Sequence, residues 1–314
     1  MIKEKPSKVV DLLIIGGGPA GLTAAIYGGR AMINTLLLEN GVMGGQIRNT
    51  YRIENYPGFI EITGEELTSR MMEQAEKSGA VIDEFDEIVS IKLSDEEKII
   101  ETASAIYKPL AVIITSGAKH RSLPIAQESK YYGKGIHYCE LCDGFMYKDK
   151  NIIVVGGGNS AAEAAIYLSR YANNITLIHR RESIKTEKST QDELYSIPKI
   201  KYMWESEIIS AYGEKKLEGV SVQNLKTQEI IDVKIDGIFV YVGMLPQSEL
   251  FKDSINVDEQ GYILAGESTE TNIKGVFAAG DIRKKQFRQV STAVGDGAVA
   301  SLMAERYITK KRKK

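Results

Sequence analysis

The chain has 314 residues, 43% hydrophobic and 26% charged, with 40 basic against 42 acidic side chains and a formal net charge of −2. At roughly 150 residues per domain this predicts about two domains, each able to bury a core, and a balanced charge that argues against a nucleic-acid partner. No apolar run approaches the roughly 18 residues of a membrane span, and the opening MIKEKPSKVVDLLIIGGG is not read as a signal peptide because its apolar stretch runs into a glycine turn.

In chain order, Val9 to Ile15 is an apolar run broken only by Asp11, and it is followed by Gly16-Gly17-Gly18-Pro19-Ala20-Gly21. Leu22, Ala25 and Ile26 then recur at helical spacing, and Asn34 to Leu38 reads as a second strand ending in Glu39. Gly64 to Lys77 predicts an amphipathic helix, and Val81 to Ile114 several short strands with hairpin turns. Cys139 and Cys142 are the 2 cysteines and form one C-x-x-C. A zinc site would need two further ligands, and with only His120, His137 and His179 available no metal is expected. Lacking a disulfide framework, the chain suits a reducing, cytoplasmic compartment. Ile152 to Val155 begins the pattern again: Gly156-Gly157-Gly158-Asn159-Ser160-Ala161, a helix through Ala164, Ala165 and Leu168, then a strand from Ile175 to Ile178. Strand texture returns over Glu207–Tyr212, Leu217–Leu225, Ile230–Ile235 and Gly237–Val242. Val276 to Ala279 leads into Gly280-Asp281, and Val290 to Tyr307 reads as a closing helix. Gly295 and Gly297 inside it cost about 1 kcal/mol each against Ala and predict a close approach. The basic run Lys310 to Lys314 reads as a solvated, frayed end.

The two strand–glycine–helix–strand units are dinucleotide-binding patterns. The first glycine permits the tight turn, the second lets backbone approach a pyrophosphate, and the third position allows close helix–strand packing. A single glycine turn is weak evidence; two, each set between a strand and a helix, predict two nucleotide sites. Glu39, at the end of the first unit's second strand, can accept hydrogen bonds from an unphosphorylated ribose, as in FAD or NAD. At the equivalent place in the second unit stand His179-Arg180-Arg181, with Lys185 beyond. A solvated basic turn is the plain alternative, but guanidinium forks after a glycine turn fit the 2′-phosphate of NADPH.

Together these residues resemble the low-molecular-weight thioredoxin reductases, of the class II pyridine nucleotide-disulfide oxidoreductase family, over nearly the whole chain. Gly16 to Gly21 matches the family's FAD turn. Gly44-Gly45-Gln46 and Glu54-Asn55-Tyr56-Pro57-Gly58 resemble its loops beside the flavin, and Thr115-Ser116-Gly117-Ala118 its crossing between domains. Tyr138-Cys139-Glu140-Leu141-Cys142-Asp143-Gly144 resembles the redox segment. Gly275 to Asp281, then Arg288-Gln289-Val290, resemble the second FAD contact.

The resemblance implies an α/β fold of two Rossmann-like, three-layer ββα domains. An FAD-binding domain would occupy 1–117 and 245–314, with an NADPH-binding domain, 118–244, inserted and carrying the C-x-x-C. FAD would be held by Gly16, Gly18, Pro19, Ala20, Gly21, Glu39, Gly45, Gln46, Asn55, Gly117, Gly280, Asp281, Arg288, Gln289 and Val290. NADPH would be held by Gly156, Gly158, Asn159, Ser160, Ala161, His179, Arg180, Arg181 and Lys185. Electrons would pass from NADPH through FAD to a Cys139–Cys142 redox disulfide and then to thioredoxin, with Asp143 as proton donor or acceptor. A homodimer with neither nucleic acid nor membrane as partner is implied, and a hinge near Gly117 and Gly243 is expected. Two positions depart from the family's pattern: Glu140-Leu141 where small residues are usual, and Lys185 where arginine is usual. They motivate the alternatives of NADH or ferredoxin as donor, or a glutaredoxin-like acceptor; a dithiol oxidase using oxygen has little need of the second glycine turn. His137, two residues before Cys139, is read as structural, because the electron path requires no base there.

Overall fold

The computed structural model describes residues 5–50 and 53–313. The chain divides into two compact units, one formed by the residues up to Lys119 together with those from Leu245 onward, the other by His120–Met244.

In the first unit a five-stranded parallel sheet runs in the order Val276–Ala278, Ala111–Ile114, Leu12–Ile15, Thr35–Glu39, Val81–Glu84. Its strands other than the edge strand Val81–Glu84 are apolar at successive positions because both faces are covered. Leu12, Ile14, Leu37 and Phe277 pack toward the helices Pro19–Arg30, Gly64–Lys77 and Val290–Arg312. Leu13, Ile15, Leu36 and Val276 pack the other way, against Ile88, Ile100 and Tyr107 of a smaller sheet. The Gly64–Lys77 helix forms where its spacing predicts, its N-cap Thr63 accepting from Glu66 N at 3.2 Å.

The closing helix corrects two expectations. It runs to Arg312 rather than ending near Tyr307, and Arg312 Nη2 meets Asp11 Oδ2 at 2.6 Å, so the basic tail is helical and anchored rather than frayed; Lys314 lies outside the described residues. Of its two glycines only Gly297 answers to close approach: a Cβ there would lie 2.2 Å from the Ala20 carbonyl oxygen, whereas one on Gly295 would meet nothing within 4 Å.

Lys98, in the strand Lys98–Thr102, is an unexpected burial at 2% exposure, its Nζ donating to Ser94 O at 3.2 Å. Burial, with repulsion from Lys311 and against the pull of Asp95, brings its pKa down to about 8. The folded state therefore carries the full penalty of a buried ammonium below pH 8, and the penalty fades as pH rises from 8 toward the unfolded value near 10.4. Lys98→Met should raise Tm by roughly 2–4 °C at pH 7. Calorimetry at pH 7 and pH 10 checks this: the gain over wild type shrinks at the higher pH, whereas an equal gain at both would assign it to packing.

The second unit repeats the plan. Its parallel sheet runs Ile136–His137, Gly237–Tyr241, Asn151–Gly156, Asn174–Ile178, Ile200–Met203. Ile152, Val154, Leu177 and Phe239 face the helix Asn159–Leu168, while Ile153, Val155, Ile178 and Val240 face an antiparallel three-stranded sheet, Ser206–Tyr212, Gly219–Asn224, Ile230–Lys234. The helix Lys188–Ser196 was not legible in the sequence; its exposed face is polar apart from Tyr195, and only Leu194 is buried.

Candidate functional site

The first glycine turn joins the strand Leu12–Ile15 to the helix Pro19–Arg30. Its interior is closed: a Cβ on Gly21 would lie 1.9 Å from the Gly16 carbonyl oxygen, and Thr115 Oγ1 donates at 2.8 Å to the carbonyls of both Ile15 and Gly16. Its outer side is open, since a Cβ on Gly18 would meet nothing nearer than Gly45 Cα at 4.0 Å. Gly18 lines a cavity of about 570 Å³.

That cavity gathers most of the residues the sequence marks in this unit. Gly16, Pro19, Ala20, Glu39, Gly45, Gln46, Gly117, Gly280, Asp281, Gln289 and Val290 line it with Gly18. Gly21 lies in the packed interior of the turn instead. Asn55 stands behind a lining residue, its Nδ2 donating to Gln289 Oε1 at 3.2 Å. Arg288 is turned onto the Tyr262 ring, 4.0 Å from its centroid, with Nε 3.4 Å from Asp281 O. Gln247, Leu250 and Phe251 also line the cavity. Sequence reasoning missed them; the available signal was an apolar pair just past the expected domain boundary.

The donors and acceptors here fit a dinucleotide. Glu39 is fixed by Gly17 N on Oε2 at 2.7 Å and Gly41 N on Oε1 at 3.0 Å, which leaves lone pairs for ribose hydroxyls. Asp281 Oδ1 is buried without a hydrogen bond, and the nearest cation, Lys285 Nζ, stands 3.4 Å away. Burial pushes the Asp281 carboxyl above its ordinary range, against the pull of Lys285 and Arg288. An orphaned buried carboxylate oxygen on a cavity wall calls for a hydroxyl or amide donor.

In the second unit the strand Asn151–Gly156 leads through Gly157 and Gly158 into the helix Asn159–Leu168, and Ala161 is buried under the turn. The basic segment folds back onto it. Lys185 N donates to Gly157 O at 2.8 Å, and the His179 ring lies so close to Gly157 that a Cβ there would sit 2.0 Å from it. Burial, then Arg181 and Arg180, hold the His179 pKa below its usual value. Arg180, Arg181 and Lys185 are exposed and form no ion pair with a described residue, and Gly158, Asn159 and Ser160 leave the mouth of the turn open. A glycine turn ringed by free cations suits a phosphorylated nucleotide.

Cys139 and Cys142 of this unit are joined as a disulfide, with Cα atoms 5.3 Å apart and both residues partly exposed. Cys139 caps a single helical turn, Glu140–Asp143, its sulfur accepting from Cys142 N at 3.2 Å. Glu140 does not stand free beside the sulfurs: Tyr241 OH donates to its Oε2 at 2.5 Å and accepts from its backbone N at 3.0 Å. Asp143 Oδ2 lies 3.2 Å from His137 Nδ1. Of the apolar run after the pair, Phe145 is exposed and Tyr147 buried.

Two dinucleotide folds and a C-x-x-C disulfide define an oxidoreductase that couples a nicotinamide nucleotide to disulfide exchange. The pyridine nucleotide-disulphide oxidoreductase family model matches residues 10–297, and the chain belongs to that family. It is 57% identical to the "34.2 kDa protein in rubredoxin operon" of Clostridium pasteurianum, over 97% of this chain and 99% of that protein. It is 43% identical to the thioredoxin reductase of Streptomyces clavuligerus, over 96% of this chain and 95% of that protein. The crystal structure of thioredoxin reductase from Streptococcus pyogenes MGAS5005 superposes with a TM-score of 0.92 at 39% identity, covering 96% of this chain and 99% of that one. The chain is a flavoprotein oxidoreductase whose cofactors are FAD and NADPH.

Proposed function

We propose that this chain reduces the disulfide of thioredoxin, working in the cytoplasm as a homodimer with neither membrane nor nucleic acid as partner. The observation that carries the reading is the partly exposed Cys139–Cys142 disulfide, built into the same unit as the Arg180–Arg181–Lys185 cluster. The cytoplasm is proposed because two cysteines in 314 residues give no disulfide framework, and the homodimer from the resemblance to the family. When bound, FAD supplies the two-electron chemistry that links NADPH to the disulfide.

The chain's own residues do the rest. Gly16, Gly18, Pro19 and Ala20, with Gly280, line the place of the FAD pyrophosphate; Glu39 accepts from ribose hydroxyls; Asp281 takes a ribityl hydroxyl on its orphaned oxygen. Gly45, Gln46, Asn55, Gly117, Arg288, Gln289 and Val290 close the remaining contacts, and Gly21 keeps the turn packed. Gly156, Gly158, Asn159, Ser160 and Ala161 present backbone to the NADPH pyrophosphate, with His179 bracing the turn. Arg180, Arg181 and Lys185 take its 2′-phosphate. In this reading residues 118–244 form the NADPH domain and the remainder the FAD domain, with Gly117 and Gly243, at φ of +69° and +114°, serving as hinges. Asp143 donates or accepts the thiol proton.

The NADPH assignment is tested by kinetics with thioredoxin as acceptor. Each charge-assisted phosphate contact contributes about 1.5–3 kcal/mol, so Arg180→Ala or Arg181→Ala should raise the NADPH KM on the order of ten- to a hundredfold and leave the NADH KM nearly unchanged. Equal use of NADH and NADPH by the wild type would defeat the assignment.

A further inference from the structure

His137 belongs to none of the motifs above, yet every polar atom of its ring is engaged. It is buried at 5% exposure in the strand Ile136–His137, its ring stacked on Phe239 at 5.4 Å and meeting Tyr147 edge-on at 5.3 Å. Nε2 lies 2.6 Å from the Tyr147 hydroxyl and Nδ1 lies 3.2 Å from Asp143 Oδ2. Burial, reinforced by Asp143, pushes the Tyr147 phenol well above its ordinary value, so Tyr147 keeps its proton and donates. The Asp143 carboxylate oxygen can only accept, so the ring hydrogen sits on Nδ1, and Nε2 is left to accept from the Tyr147 hydroxyl. The tyrosines that also feel Asp143, Tyr132 and Tyr241, are likewise shifted upward, chiefly by burial, and stay neutral. The Tyr147–His137–Asp143 chain therefore ends on the carboxylate that directly follows Cys142.

We propose that His137 is a positioning residue for proton transfer at the redox pair: its Nδ1–H, fixed by Tyr147, orients the Asp143 carboxylate for proton exchange with the reduced cysteines. The inference rests on the thioredoxin-reducing reading above. In the dithiol state Asp143 accepts the proton of one cysteine, and the resulting thiolate attacks a sulfur of the partner's disulfide. The partner's S–S bond breaks, its departing sulfur takes the proton back from Asp143, and a mixed disulfide remains. The second cysteine, losing its proton by the same carboxylate, attacks the mixed disulfide and releases the partner as a dithiol. Two electrons and two protons have moved from the Cys139/Cys142 dithiol to the partner, and the enzyme disulfide has re-formed. Asp143 is the group that exchanges the proton, and His137 acts through it.

The test uses the full-length, FAD-loaded protein and the variants His137→Phe, His137→Asn and Asp143→Asn. Phe keeps the stack on Phe239 and removes the donor; Asn restores an N–H near the Nδ1 position. Thioredoxin reduction by His137→Phe should fall on the order of ten- to a hundredfold, and His137→Asn should recover most of the loss. In the Asp143→Asn background His137→Phe should cost nothing further, because the group it positions is gone. A second readout is independent of turnover: after reduction by dithiothreitol and its removal, alkylation of the cysteine pair by iodoacetamide, followed by mass, should slow by a similar factor in His137→Phe and not in His137→Asn. Should His137→Phe fail to fold, Tyr147→Phe, which frees the tautomer, should give a weaker version of the same pattern. Equal losses in both backgrounds, no rescue by Asn, or unchanged alkylation would each overturn the proposal. A wild type that does not reduce thioredoxin would sink the functional reading instead, and the alkylation series would still decide the role of His137.

Discussion

Cys139→Ser and Cys142→Ser proteins will stay folded and yellow, their flavin will still be bleached by NADPH, and thioredoxin reduction will fall by at least about a thousandfold. The loss is large because the sulfur is the bond-forming atom, and a serine hydroxyl can neither form a disulfide nor serve as its leaving group. Folding is spared for two reasons. The disulfide spans a sequence separation of 3, so by the chain-entropy argument it contributes only about 2 kcal/mol. Both cysteines are also partly exposed, and neither lies in a hydrophobic core cluster. Flavin absorbance after anaerobic addition of NADPH, read beside turnover with thioredoxin, separates the two half-reactions. Turnover retained by either variant would remove the pair from the electron path.

Substitution of two glycines in the first turn should give opposite failures. Gly21→Ala forces a methyl to 1.9 Å from the Gly16 carbonyl oxygen, and Thr115 Oγ1, which donates to that same oxygen, stands 2.8 Å from the methyl. Both obstacles are buried and fixed by hydrogen bonds, so the helix must shift against the sheet; overpacking of that kind costs about 3 kcal/mol or more. We expect a poorly folded chain with a strongly lowered Tm and little bound FAD. Gly18→Ala places its methyl where the protein offers only Gly45 Cα at 4.0 Å, on the wall of the cavity. That chain should fold with a Tm close to the wild-type value measured without FAD, yet bind FAD at least about tenfold more weakly, since the methyl occupies the approach of the pyrophosphate. Thermal melts and FAD titration of the two variants give the answer. Wild-type FAD affinity in Gly18→Ala would refute backbone approach at that position.

The packed turn, the cavity and the redox pair differ in how much of each could be read in advance. The strand–glycine–helix units were legible because every signal they need is local: an apolar run of strand length, glycines at fixed offsets, then helical periodicity. Glu39 and the Arg180–Arg181 pair were legible for the same reason, since a strand end lies a fixed distance from its turn. The cavity-lining segment around Gln247 and Phe251 was not, because no periodicity marks a loop that is shaped by what it packs against.

Local pattern by itself determined the two strand–glycine–helix units, Glu39 at its strand end and the C-x-x-C, because strands, turns and helices are set by residues close in sequence. Gly45, Gln46, Asp281 and the rest of the expected cavity wall came only through the resemblance to the family. Tertiary structure alone decided what those residues meet. Arg312 caps the tail on Asp11, 301 positions away in the chain, and turns a basic run that reads as frayed into an anchored helix. Tyr241 reaches Glu140 from 101 positions away and takes up the charge that the sequence places bare beside the sulfurs. His137 and Tyr147 lie only 10 apart, yet their bond depends on both rings packing around Phe239, which arrives on the strand Gly237–Tyr241. A side chain's periodicity reports which way it faces, but its hydrogen-bond partner is fixed only when distant strands pair in register and exclude the water that would otherwise compete.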